Sequence, residues 1–218
     1  MINKPNLQRF LFTFNISIFG AAIGFSFMVC YYLARVPDYL QTEFLRNQHV
    51  ATRLDGITAI LIYGSTALSG FLIAFIFIYW LYEKPQRAGI SKSVWLLSSF
   101  GYGIANAFIG GGIFMPLADQ ILMTIDLSPD LPTTFFVMAE HLFRIPLTMW
   151  LSGTQVLYTS LMSCVIFGLG SFAIYKMHEA DTNGRYKGNG SLISTLLLSG
   201  LIVFLSMSLP VSILRHLG

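Results

Sequence analysis

Two groups of residues in this chain are of the kinds that hold or transform a ligand. The first is Glu140, His141 and Arg144, with Asp119 and Asp126 preceding them in sequence. A histidine beside a carboxylate can act as general base, proton relay or metal ligand. A nearby guanidinium can hold a lipid phosphate. The bland alternative is also specific: Glu140 and Arg144 stand four residues apart, the spacing of an ion pair within one helix. Glu-His-x-x-Arg matches no metal or catalytic motif. One histidine does not build a zinc site, and His49 and His178 fall in other segments. Surface anchoring is therefore the favoured reading of this cluster. Catalysis by Glu140, His141, Arg144 and Asp119 is kept as the sharper alternative, and no metal or cofactor is expected.

The second group is Asn106 with Gly110, Gly111 and Gly112, in a stretch that also contains Gly101, Gly103 and Pro116. Three successive glycines followed by a proline weaken a continuous helix. In transporters, broken helices offer backbone dipoles to ions or solutes near the membrane midplane. Asn106 and bare backbone would then be the binding groups. Against this, glycine is frequent in membrane helices, and Ala107 with Gly111 forms a small-x-x-x-small pair suited to close packing. Packing is the favoured reading.

Both groups sit among long apolar elements. Of the 218 residues, 55% are hydrophobic and 11% charged, and the mean hydropathy is +0.67. Soluble domains carry roughly 25% charged residues. Five stretches lack Asp, Glu, Lys, Arg and His altogether: 11–33, 57–82, 94–117, 155–175 and 192–214. Each has about the 20 residues that a helix needs to cross a hydrocarbon core, where the backbone must satisfy its own hydrogen bonds. The expected fold is thus an all-α integral membrane protein, one domain of about five transmembrane helices over residues 1–218. Lys4 and Arg9 before the first run resemble a signal peptide, but 11–33 exceeds the roughly 7–15 residues of a signal core. It is read as the first span.

Basic residues orient the spans. With a cytoplasmic N-terminus, Lys4, Arg9, Lys84, Arg87, Lys92, Lys176, Arg185 and Lys187 lie inside and Arg35, Arg46, Arg53, Arg144 and Arg215 outside. That bias follows the positive-inside rule and places the chain in the cell membrane with its N-terminus cytoplasmic. Two outer segments are amphipathic. Residues 37–55 suit a short surface helix. Residues 133–150 are apolar enough for a sixth span, but a stripe of Glu140, His141, Arg144 and Thr148, together with Pro146, favours an interfacial helix.

Small residues recur every fourth position: Gly20 and Gly24; Ser65 and Ser69; Thr66 and Gly70; Ser160, Cys164 and Gly168. These faces suit close helix packing or subunit contacts, with hydroxyls bonding back to their own helix. Cys30 and Cys164 lie in apolar runs and read as small buried hydrophobes, a bridge between them being the other reading.

Absences narrow the function. No Asp, Glu, Lys, Arg or His lies inside the five spans, which argues against a proton-coupled pump and a bis-histidine haem bundle. Gly-x-Ser-x-Gly, His-Glu-x-x-His and phosphate-loop motifs are missing. No Lys/Arg-rich run points to nucleic acid. The leading expectation is a non-enzymatic membrane component, with membrane lipids around it. It would serve as a homo-oligomer or complex subunit, or as a passage for a neutral or apolar solute. An outer-leaflet enzyme acting on a lipid-like substrate and a sensor or anchor for a separate signalling partner are the alternatives.

Overall fold

The structure, a computed structural model, describes residues 4–35, 56–83, 92–118, 131–182 and 189–208. All of these except Asn189 are helical. Five α-helices follow one another: α1 (Lys4–Arg35), α2 (Gly56–Glu83), α3 (Lys92–Ala105), α4 (Leu131–Thr182) and α5 (Gly190–Ser208). A π-helical segment (Asn106–Phe114) and one further α-turn at 115–118 continue α3. Four helical stretches are long and apolar enough to cross a membrane: Arg9–Cys30, Gly64–Leu81, Ser93–Ala118 and Ser160–Asp181. The apolar stretch Gly190–Ser206 is shorter, and the rest of the expected fifth span, 209–214, lies outside the described residues. The protein is all-α and of the membrane class. The surface helix expected at 37–55 also lies outside the described residues.

Glycine lets the first two helices touch backbone to backbone. A Cβ at Gly20 would stand 2.5 Å from Ala74 Cβ and 2.6 Å from Gly70 O, and one at Gly24 would collide with Thr66 O. The Gly20/Gly24 face therefore lies on the Thr66/Gly70/Ala74 face. Arg9 at the start of α1 donates to Tyr79 O (2.6 Å) near the end of α2, so the two run antiparallel. Phe12, Ile16 and Phe19 of α1, Ile78 of α2, Tyr102 of α3, and Phe167 and Ile174 of α4 form the core between the helices.

A second antiparallel pair joins α3 and its π extension to α4. Ser99 meets Gly168, Gly103 meets Ser160 and Cys164, Gly111 meets Val156, and Gly112 meets the backbone of Met149. Buried hydroxyls bond back to their own helices: Ser17 to Thr13 O (2.7 Å), Ser69 to Thr66 O (2.9 Å) and Thr195 to Ser191 O (2.8 Å). That pairing removes most of the cost of hydroxyls in an apolar interior. The two cysteines are free thiols. The carboxylate of Asp181 accepts from the N–H groups of Gly190 (3.2 Å) and Ser191 (2.8 Å), capping the start of α5.

The structure departs from expectation between 150 and 155. No boundary separates the outer segment 133–150 from the span at 155–175, since a single 52-residue helix contains both. It therefore forms neither a separate interfacial helix nor a sixth span, which would need a reversal there. The local residues explain the continuity. Gly153 packs on Phe108 instead of ending the helix, and Thr154 bonds back to Trp150 O (2.7 Å). Pro146 is accommodated within the helix. At 1.5 Å per residue α4 is about 78 Å long, well over the 40–45 Å of a bilayer with its headgroups.

Candidate functional site

The glycine-rich segment stays helical by widening. Asn106–Phe114 adopts π-helical bonding, with the Met115 N–H reaching back to Gly110 O. π-helical turns recur at functional sites because they offset side chains from their usual faces. Each glycine of the triplet meets a neighbour: Gly110 meets Ser69, Gly111 meets Val156 and Gly112 meets Met149. The helix is thus not discontinuous here, and bare backbone is not laid open by a break. The reason is packing: α2 and α4 flank the triplet closely enough that a Cβ at any of the three positions would collide.

Asn106 is brought into this contact. It is 1% exposed, and its Oδ1 accepts no hydrogen bond among the described residues. Oδ1 lies 2.9 Å and Ser69 Oγ 2.8 Å from the point that a Gly110 Cβ would occupy. Two oxygens therefore converge on one spot that only glycine leaves clear. An unpaired buried acceptor costs about 1–3 kcal/mol, so this oxygen is poised to accept from a donor. Chemically the arrangement can bind a hydrogen-bond donor; it contains no nucleophile or base.

The outer cluster is different in kind. Glu140 and Arg144 form the expected ion pair at 2.5 Å, with both side chains more than half exposed. Thr148 bonds back to Arg144 O (3.3 Å) and Ile145 O (3.1 Å). His141 is on the same helix, though its side chain is not among those described, and Asp119 lies outside the described residues. The structure brings Glu140 and Arg144 together with each other and not with Asn106 or the glycine triplet. Among the described residues no three His, Cys, Asp or Glu side chains gather as a metal site.

Two packing features escaped the sequence reading, in which Trp95 and Tyr175 figure as interfacial anchors at span ends. Tyr102 is fully buried, donates to Gly20 O (2.9 Å) and stacks on Phe167 at 3.9 Å. Trp95 is buried against Phe172 and Tyr175, at the end of the bundle that also holds Lys176. Only the glycines opposite Tyr102 signalled room for so large a ring.

No family model, curated protein or solved structure matches the chain. What it does must be argued from its own geometry.

Proposed function

We propose that the chain is a non-enzymatic, multi-pass subunit of a membrane complex, oriented with its N-terminus in the cytoplasm. One observation carries this reading: the N-terminal third of α4. Between 131 and 150, no residue whose burial is described is buried. Phe135, Phe136, Phe143 (88% exposed) and Leu147 are exposed, and Trp150 keeps a ring contact with Phe108 while 63% exposed. The register that sets Gly112 against Met149 brings the end of the third span, Ala118, level with about residue 143. The preceding dozen residues of α4 therefore reach about 18 Å further. Phe135 and Phe136 are thereby carried beyond the third span, where exposed aromatic surface marks a contact with a partner protein.

The orientation rests on charge. Arg9 and Lys176 belong to the same end of the bundle, where Phe12 of α1 lies against His178 of α4 at 4.5 Å. That end gathers the basic residues assigned to the cytoplasm.

A photoreactive residue at Phe136, introduced in native membranes, tests the subunit reading. The expected product is a discrete protein adduct, while the same probe at Leu196 on the exposed side of α5 gives lipid adducts. Lipid adducts alone at Phe136, with a monomer in mild detergent, would refute it. The unpaired Asn106 oxygen favours a second reading, passage of a small neutral solute that donates a hydrogen bond. Vesicle flux lost on Asn106→Leu would support that alternative.

A further inference from the structure

Between α3 and α4, on the side away from α1, lies a groove of about 490 Å³. Trp95 and Phe172 close one end and Leu161 the other, with Cys164 and Gly168 along its length. This volume falls within the roughly 300–1,000 Å³ of ligand sites. Its walls are almost wholly apolar side chains, several of them exposed, including Val165 and Leu169. The polar side chains along its length are already partnered within their own helices. Ser99 donates to Trp95 O (2.7 Å), and Cys164 lies 3.4 Å from Ser160 O.

The length of the groove decides what fits. From Leu161 to Phe172 is eleven residues of helix, about 16 Å. A hydrocarbon core is about 30 Å thick, so the groove spans one leaflet and stops near the midplane. A partner helix crossing the membrane would need a face about twice as long. A lipid chain needs this depth and no more.

The Trp95–Phe172 end is chemically distinct. Lys176 Nζ lies 5.8 Å from the centre of the Phe172 ring and 5.6 Å from that of Tyr175. It is held by Glu179 at 2.7 Å in an exposed ion pair, the kind that a competing anion readily displaces. Trp95 Nε1–H, buried at the same end, has no acceptor among the described residues. Tryptophan, tyrosine and lysine at one depth form an interfacial anchor where headgroups begin.

We propose that this groove is a binding site for one anionic phospholipid of the leaflet on the Lys176 side. An acyl chain lies along Cys164 and Gly168, an ester carbonyl accepts from the Trp95 indole, and the phosphate pairs with Lys176. Basic side chains beside inter-helix pockets recognise anionic headgroups in this way. The site lies along Leu161–Phe172, nearer the other end of α4 from residues 131–150, and does not rest on the subunit reading.

The test uses the full chain in vesicles with Trp80→Phe and Trp150→Phe, leaving Trp95 as the only indole. Phosphatidylglycerol or phosphatidylcholine with brominated chains is titrated into unlabelled lipid, and fluorescence quenching is measured. Brominated phosphatidylglycerol should quench Trp95 at a several-fold lower mole fraction than brominated phosphatidylcholine. Lys176→Gln should abolish that preference, and Val165→Phe, which fills the groove, should weaken quenching by both lipids. Equal quenching by the two lipids would overturn the proposal. So would quenching by neither, the result expected if protein covers the groove. Because Lys176 is exposed, its variant reports even where Val165→Phe fails to fold.

Discussion

Gly24 stands where α1 and α2 approach most closely, and a side chain there has only the backbone of Thr66 to displace. Gly24→Ala should destabilise the fold by about 1–3 kcal/mol, the usual cost of overpacking. Unfolding in mixed micelles with a denaturing detergent would measure it. Gly200, with nothing within 4 Å of its would-be Cβ, is the control: Gly200→Ala should be neutral or mildly stabilising through helix propensity. At Tyr102 the hydroxyl and the ring can be separated by the same measurement. Tyr102→Phe loses only the bond to Gly20 O and should cost about 0.6 kcal/mol, typical of bonds between membrane helices. Tyr102→Ala also leaves a cavity beside Phe167 and should cost about 3–5 kcal/mol. The spacing of Gly20 and Gly24, and of Thr66 and Gly70, made both smooth faces legible in the sequence. It did not say that the two faces meet, because four-residue spacing defines a stripe and not its partner. Tyr102 was opaque for a related reason: an aromatic in an apolar run reads as lipid-facing until the glycine gap opposite it is known.

The elements were legible in proportion to their chemistry. Uncharged runs marked the membrane helices because lipid forces the backbone into helix, whatever the side chains. Joins between helices depend on local competition, and there the sequence misled. Pro146 and the polar stripe around Glu140 suggested a separate interfacial helix, yet the proline is accommodated and Gly153 packs on Phe108 within one continuous helix. At the glycine triplet the favoured packing reading fits the contacts with α2 and α4, while the alternative of a broken helix gives way to a π-helix. Asn106 follows from that geometry. Asn106→Leu removes an unpaired buried oxygen and should raise stability by about 1 kcal/mol in the same detergent assay. A fall would mean that a donor from the membrane or a solute normally satisfies it. The start of α5 has its own test. Asp181→Ala frees the two N–H groups of Gly190 and Ser191 and should cost about 0.5–2 kcal/mol, with Asp181→Asn costing less.

For the whole molecule, two antiparallel pairs share one aromatic core, α1 with α2 and the α3 unit with α4, while α4 continues past its partner. The proposed subunit contact and the level of the Glu140–Arg144 pair depend on that continuation. A helix that folded back at 150–155 would cover its own apolar surface and remove the need for a partner. Spin labels at Phe136→Cys and Lys176→Cys, with Cys30 and Cys164 replaced by serine in lipid nanodiscs, measure the continuation directly. A single continuous helix separates these positions by about 60 Å, or about 55–60 Å with a proline kink at Pro146. Pulsed dipolar spectroscopy should give a distribution centred in that range. A distance of about 40 Å or less would mean that 133–150 turns away or folds back as a separate helix, and would contradict the account.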